Sequence, residues 1–440
     1  MRRSRRLGSG ALAFVLAHGP GLCACGTGGG SEPPPRLRTP PRAPPRKARA
    51  VAEPPSLVLT RAATRYHAPD PTTRIPRGLA PLFAACRLAL KREGLGLHAD
   101  VRLHRAARQL LGVGRLSALG SRALRFVLLG SGVVEPHARM IADEAASASL
   151  LQKTFYERLV SALADGRFNR IGGAVQSLPG GRVRVVLLLL RGHVTLESIP
   201  RRPVTGASVL LRGSVAVGFT APRVVVTHPG GRTIRTGLTT ATDGAFHAVI
   251  PLTAGAGRYQ LELLASGPQG PEVLANFPLY CGVASPTRFV LRRPVRLAVG
   301  NDSETERALF GLINRARRRA QRSPLRWSAA LARLARAHAV EMCRLADVRH
   351  HSPHTGTAAD RVRRARIPAR WVGENVGEAA SVGEVHRELL GSPAHRATML
   401  RPGLTHAGVG VCVDRSTTGK SSLYVTQLFI ERPPSAPKRR

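Results

Sequence analysis

The hydrophobic period changes more than once along this chain, and a single layer of like elements cannot accommodate that. From about residue 78 to 165 apolar residues recur at helical spacing, as in 81-PLFAACRLALKREGL-95 and 100-DVRLHRAARQLL-111. A β signal follows: 171-IGGAV-175, a Pro-Gly-Gly turn, and the run 182-RVRVVLLLL-190. Between 192 and 298 short β-rich runs are separated by Gly-rich turns: 207-ASVLL-211, 223-RVVVTH-228, 246-FHAVIPL-252 and 258-RYQLELL-264. That spacing predicts an all-β, immunoglobulin-like sandwich. Helical spacing returns in Ser303 to Arg319 and in 325-LRWSAALARLARAHAVEMCRL-345, where Ser328 is the N-cap. Two β runs, 407-AGVGVCV-413 and 423-LYVTQLFI-430, close the chain. Helices flanking such a hairpin give an α+β sandwich. The expectation is an α+β multidomain protein: a helix-rich domain at 56–191, a β-sandwich at 192–300, a last domain at 301–431 and a basic tail at 432–440.

The N-terminus has the order of an export signal. Arg2, Arg3, Arg5 and Arg6 precede the apolar run 11-ALAFVLA-17, which His18, Gly19 and Pro20 interrupt before 22-LCAC-25. Leu, two small residues and Cys resemble a bacterial lipobox, which would make Cys25 the lipidated first residue of the mature chain. Ordinary signal-peptidase cleavage is the alternative. Residues 1–25 are thus read as the signal and 26–55, rich in Pro, Gly and Arg, as an extended linker. Nothing later is apolar and uncharged for long enough to span a bilayer, so a lipoprotein would be tethered to a membrane instead. Without Cys23 and Cys25, four cysteines remain, an even number that permits two disulfides in an exported protein. Cys343 and Cys412 share a domain, which favours that pair and leaves Cys86 with Cys281. Free buried thiols are the alternative.

Lys and Arg number 67 against 26 Asp and Glu, a net charge of +41, and arginine supplies nearly all of it in every segment. Attraction to a polyanion (lipid A, anionic phospholipid, a wall polymer or DNA) is one reading. Arginine-rich codon usage is the other. Aromatics do not alternate with the arginines, so a base-stacking platform for specific nucleic acid is not expected.

The most site-like residues lie in the last domain. In 392-SPAHRATML-400, Ser392 suits an N-cap and Pro393 the first helical position. His395 then falls in the first turn, where the helix dipole favours a neutral imidazole. With 351-HSPHTGTAADR-361, 373-GEN-375, and 407-AGVGV-411 together with 424-YVTQLF-429, it makes an ordered set. The set resembles the CAP superfamily (cysteine-rich secretory proteins, antigen 5, pathogenesis-related 1), in its bacterial branch, over about 303–430. The resemblance implies an α-β-α sandwich with a broad cleft lined by two histidines and one or two acids. Its His-to-Gly spacing of five selects His351, with Gly356, as the first histidine, not His350 or His354. It makes Glu374 the acid, His395 the second histidine, and Asn375 and Gln427 cleft supports. A further acid has no clear match: Glu384 and Glu388 are near, but Ser392 takes the place, and Leu389 stands where a tryptophan is usual.

Two neutral histidines facing one cleft can bind a divalent metal, zinc first by ligand type, which makes His351 and His395 the candidate ligands. Glu374 could orient one of them or accept a proton. No serine or cysteine with an adjacent base stands out as a nucleophile, and His-Glu-x-x-His is absent. The implied activities are capture of a lipid, sterol-like or cell-wall ligand, metal-assisted hydrolysis of peptides or envelope components, or polyanion adhesion with a vestigial cleft.

An offset of 228 lays 97-LHADVRLHRAAR-108 on 325-LRWSAALARLAR-336, and 169-NRIGGAV-175 falls over 405-THAGVGV-411. The first domain is therefore read either as a degenerate CAP-like copy without the cleft chemistry or as a chance match.

Overall fold

The computed structural model describes residues 56–67, 97–113, 119–145, 168–291, 301–414 and 422–434, with isolated positions at 79, 80, 84, 116, 158, 159, 162 and 163. The export signal, the linker, Cys25 and Cys86 lie outside the described residues.

The first domain runs through strands β1 (Ser56–Val58), β2 (Arg65–Tyr66) and β3 (His98–Ala99), and helices α1 (Val101–Leu111) and α2 (Ser121–Gly130). Strands β4 (Ala138–Ala145), β5 (Arg170–Ser177) and β6 (Val183–Leu190) complete it. Asp100 starts α1 by accepting a hydrogen bond from the Arg102 backbone N–H. The sheet order is β3-β5-β6-β4, with β3 parallel to β5 and the other pairs antiparallel. The apolar run in β6 is explained by burial on both faces. Val185, Leu187 and Leu189 enter one core, and Val186, Leu188 and Leu190 enter another beneath α1.

Ten strands follow: β7 (Val194–Leu196), β8 (Ile199–Pro200), β9 (Ser208–Val215), β10 (Thr220–Thr227), β11 (Thr233–Thr236), β12 (Thr239–Thr240), β13 (Ala245–Pro251), β14 (Gly257–Gly267), β15 (Gly270–Cys281) and β16 (Arg288–Val290). Two four-stranded sheets, β11-β10-β14-β15 and β12-β13-β9-β7, share one core. In β13 the alternation is direct: Phe246, Ala248 and Ile250 point inward while His247 and Val249 face solvent.

The last domain comprises α3 (Asp302–Arg319), β17 (Arg326–Trp327), α4 (Ala329–Leu345), α5 (Ala358–Arg364), β18 (Trp371–Ala379), α6 (Val382–Gly391), α7 (Pro393–Met399), β19 (His406–Asp414) and β20 (Ser422–Glu431). Its sheet order is β17-β19-β20-β18. One face packs Ala407, Val409 and Val411 against Leu309 and Ile313 of α3 and Val385 and Leu389 of α6. The other packs Leu428 and Ile430 against Leu331 and Ala335 of α4 and Val362 of α5. The result is three layers, helices on both faces of a sheet. Gly408 and Gly410 make room for α4. A Cβ at Gly408 would stand 2.6 Å from the Leu331 Cβ and closer still to the Ala332 nitrogen.

The first domain repeats this strand order and sense: first strand parallel to third, third antiparallel to fourth, fourth to second. In it, a Cβ at Gly172 of β5 would stand 2.6 Å from the His104 nitrogen of α1. Thus a glycine in the third strand again lets the following-layer helix sit against the sheet.

A disulfide joins Cys343 at the end of α4 to Cys412 in β19. The second expected pairing is corrected. Cys281 is free and buried in the central core, its thiol against the Val204 carbonyl oxygen at 3.6 Å. Among the described residues no helix is long and apolar enough to cross a membrane.

Candidate cleft site

The loop after α4 is built around Ser352, whose side chain is spent on structure. Its hydroxyl donates to Glu341 (2.7 Å) and accepts from the backbone N–H groups of His354 and Thr355. His338 ties the same loop down through the Arg349 carbonyl (2.8 Å). Ser352 is buried, and its hydroxyl holds the loop together.

This loop turns His350 inward. Its Nδ1 lies 2.9 Å from Glu374 Oε2, and Arg361 pairs with the other carboxylate oxygen. The Glu374 side chain is only 3% exposed. Burial pushes its carboxyl up, but the His350 hydrogen bond and the charges of His350 and Arg361 outweigh burial and hold it below the usual range. Arg361 is delivered by α5, which starts with a capping box between Thr357 and Asp360.

His395 faces His350 with the rings stacked, centroids 6.4 Å apart. Ser392 caps α7 through the His395 backbone N–H (3.3 Å), and Pro393 occupies the first helical position. Asn375 holds the His395 carbonyl (3.1 Å) and touches Gln427 (3.2 Å), both amides being fully buried. The His395 imidazole is lowered to about 3, first by burial and then by the neighbouring His350 and His137. Neutrality was expected from the helix dipole; here burial is the first cause.

Glu374, His395, Asn375 and Gln427 thus come together. His351 does not join them. It is exposed, and its backbone N–H donates to the Gln269 carbonyl (3.1 Å). The spacing to Gly356 marks the loop but cannot tell which of two adjacent imidazoles turns inward. Glu384 and Glu388 also face elsewhere, toward Ser121 at the start of α2. Sequence reasoning missed a residue from another domain as well. Glu262 of β14, fully buried, accepts from Ser392 Oγ (3.0 Å) and the Ala394 N–H (2.7 Å). Nothing in the sequence marks it, because β14 and α7 are far apart along the chain.

A metal here would take its protein ligands from His350 and His395. Glu374 is committed to Arg361 and His350 and would act from behind His350. Among the described residues no three His, Cys, Asp or Glu side chains converge as a ligand set.

Residues 310–429 match the family model described as CAP, the cysteine-rich secretory protein family. Residues 310–429 are a CAP domain. The chain is 30% identical over 109 residues to the uncharacterized protein YkwD of Bacillus subtilis, a match covering 24% of this chain and 42% of that protein. The chain thus spans less than half the length of this curated relative. Among solved structures, an extracellular protein containing an SCP domain from Bacillus anthracis is 17% identical, with TM-score 0.27, over 63% of this chain and 92% of that one. An outer surface protein of Borrelia burgdorferi is 16% identical, with TM-score 0.27, over 30% of this chain and 97% of that one.

Proposed function

We propose that this is an exported cell-envelope protein, lipid-anchored through Cys25, whose CAP cleft captures a polar cell-wall or envelope-lipid headgroup ligand between His350 and His395. The observation that carries this reading is the His350–Glu374–Arg361 chain facing a neutral His395. A carboxylate on Nδ1 fixes the His350 tautomer and presents Nε2 to the cleft. His395, neutral above about pH 3, offers a second nitrogen that can accept or donate. A polar ligand suits this lining better than a sterol does. The Cys343–Cys412 disulfide supports an oxidising compartment, hence export. On the same reading the central sheets are an immunoglobulin-like platform, and the first domain is a CAP-like copy that kept the scaffold and lost the cleft.

A metal-assisted hydrolase is the second reading, favoured by the neutral His395 opposite a carboxylate-oriented His350. Zinc, when bound, would polarise a carbonyl or activate a water.

Calorimetric titration of the full chain with muropeptides, with anionic headgroup analogues and with zinc alone tests both. Wild type should bind at least one of the three. His350→Ala and His395→Ala should each weaken it about tenfold or more, the cost of one ligand hydrogen bond or metal bond. His351→Ala should stay within about twofold, as a side chain making no ligand contact. Equal affinity in wild type and His395→Ala removes the cleft from the function.

A further inference from the structure

Both histidine-bearing segments of the CAP cleft are held by one hairpin of the central domain, β14–β15. At its turn, Gln269 accepts the His351 N–H (3.1 Å), and Gly270 is so close that a Cβ there would stand 3.1 Å from the His350 Cβ. Further along, Glu262 meets the start of α7.

The alternation of β14 explains why an acid can be there. Tyr259, Leu261, Leu263 and Ala265 fill the central core, so Glu262 projects from the opposite face. That face is covered by the CAP domain, and a buried carboxylate survives there only with its oxygens satisfied. One oxygen accepts from Ser392 Oγ and the Ala394 N–H. The other accepts from Asn276 Nδ2 (3.1 Å), its cross-strand partner on β15. Asn276 is anchored in turn by its backbone N–H on the Val134 carbonyl (2.9 Å) of the first domain. The acid is braced from behind and aimed at Ser392 and Ala394, three and one residues before His395.

We propose that Glu262 is a positioning residue of the CAP site: supplied by the central domain, it fixes Ser392 and Ala394 and thereby sets the His395 imidazole opposite His350. The CAP segment carries serine, not an acid, at 392, so the carboxylate that orders this turn comes from outside the domain. The site is then composite, and the central domain is part of its machinery instead of a spacer. The positioning stands on these contacts alone; its consequence for ligand capture rests on the reading of the cleft given above.

The test is the side-chain NMR spectrum of the full chain labelled at histidine nitrogens, recorded at one pH. His395 is assigned by its loss in His395→Ala. In Glu262→Ala the His395 signal should move and broaden while that of His104, buried in the first domain, stays in place. In Glu262→Gln, which keeps an acceptor oxygen, the His395 signal should return toward wild type. An unmoved His395 signal in a folded Glu262→Ala overturns the proposal. Should that variant fail to fold, Glu262→Asp, which draws the carboxylate back from Ala394, is read in the same way, with a displaced His395 signal expected and an unmoved one overturning it. Ligand titrations separate the two readings. Failure of wild type to bind any probe defeats the cleft reading but leaves the His395 displacement intact, whereas an unmoved signal defeats the positioning even where wild type binds.

Discussion

Glu262 is a titratable group with almost no water around it, and its protonation is therefore linked to folding. Burial pushes its carboxyl up from 4.5 to about 7, and the donors from Ala394 and Ser392 pull it back only in part. The folded state holds this proton more tightly than the unfolded one. Its contribution to stability is then fully present below about pH 4.5 and is lost as pH rises through 7. Glu262→Gln cannot ionise. The stability of wild type relative to that variant should fall between pH 5 and 8, by up to about 1.4 kcal/mol per pH unit between the two pKa values. Urea unfolding of both proteins across that range measures it, and a pH-independent difference would contradict the linkage. At the same scale, Glu374, Asn375, Gln427 and His395 could be read from short motifs, because each motif fixes a local backbone. His350 and Glu262 could not. Choosing between His350 and His351 depends on the loop around Ser352, and Glu262 depends on a contact with Ser392, 130 residues on.

At the scale of elements, hydrophobic period did most of the work. It found α1, α4 and the β5, β6, β19 and β20 strands, whose burial follows their own residue pattern. The glycines of β19 carry a further constraint. Gly408 lies under α4, so the strand–helix distance is set by a missing side chain. Gly408→Ala forces the α4 backbone outward near Leu331 and Ala332, and we expect a loss of about 1–3 kcal/mol, the usual range for overpacking. The midpoint of urea unfolding gives the measurement; an unchanged midpoint would mean that the layers slide apart without cost. The corresponding contact of Gly172 with α1 shows the same packing solution in the first domain, although that domain has none of the cleft motifs.

Over the whole molecule, a net charge of +41 dominates the long-range field. Retention on anionic vesicles or an anionic wall polymer should fall by about tenfold or more between 50 and 200 mM salt, because arginine–phosphate contacts release counterions. His395→Ala should leave that loss unaltered, since the cleft is not its source. Binding indifferent to salt would argue against any polyanion role.

By itself the sequence determined what is local. Period sets helix or strand, caps and glycines set where elements start and how closely they pack, and the ordered motifs mark residues of one side-chain cluster. Only the tertiary structure decided how that cluster is completed. A strand shows its outward residues as isolated polar positions, and which domain covers them is settled by packing between segments far apart in the chain. Glu262 therefore reads as an ordinary surface acid until β14 is laid against α7, where burial and three donors make it part of the site.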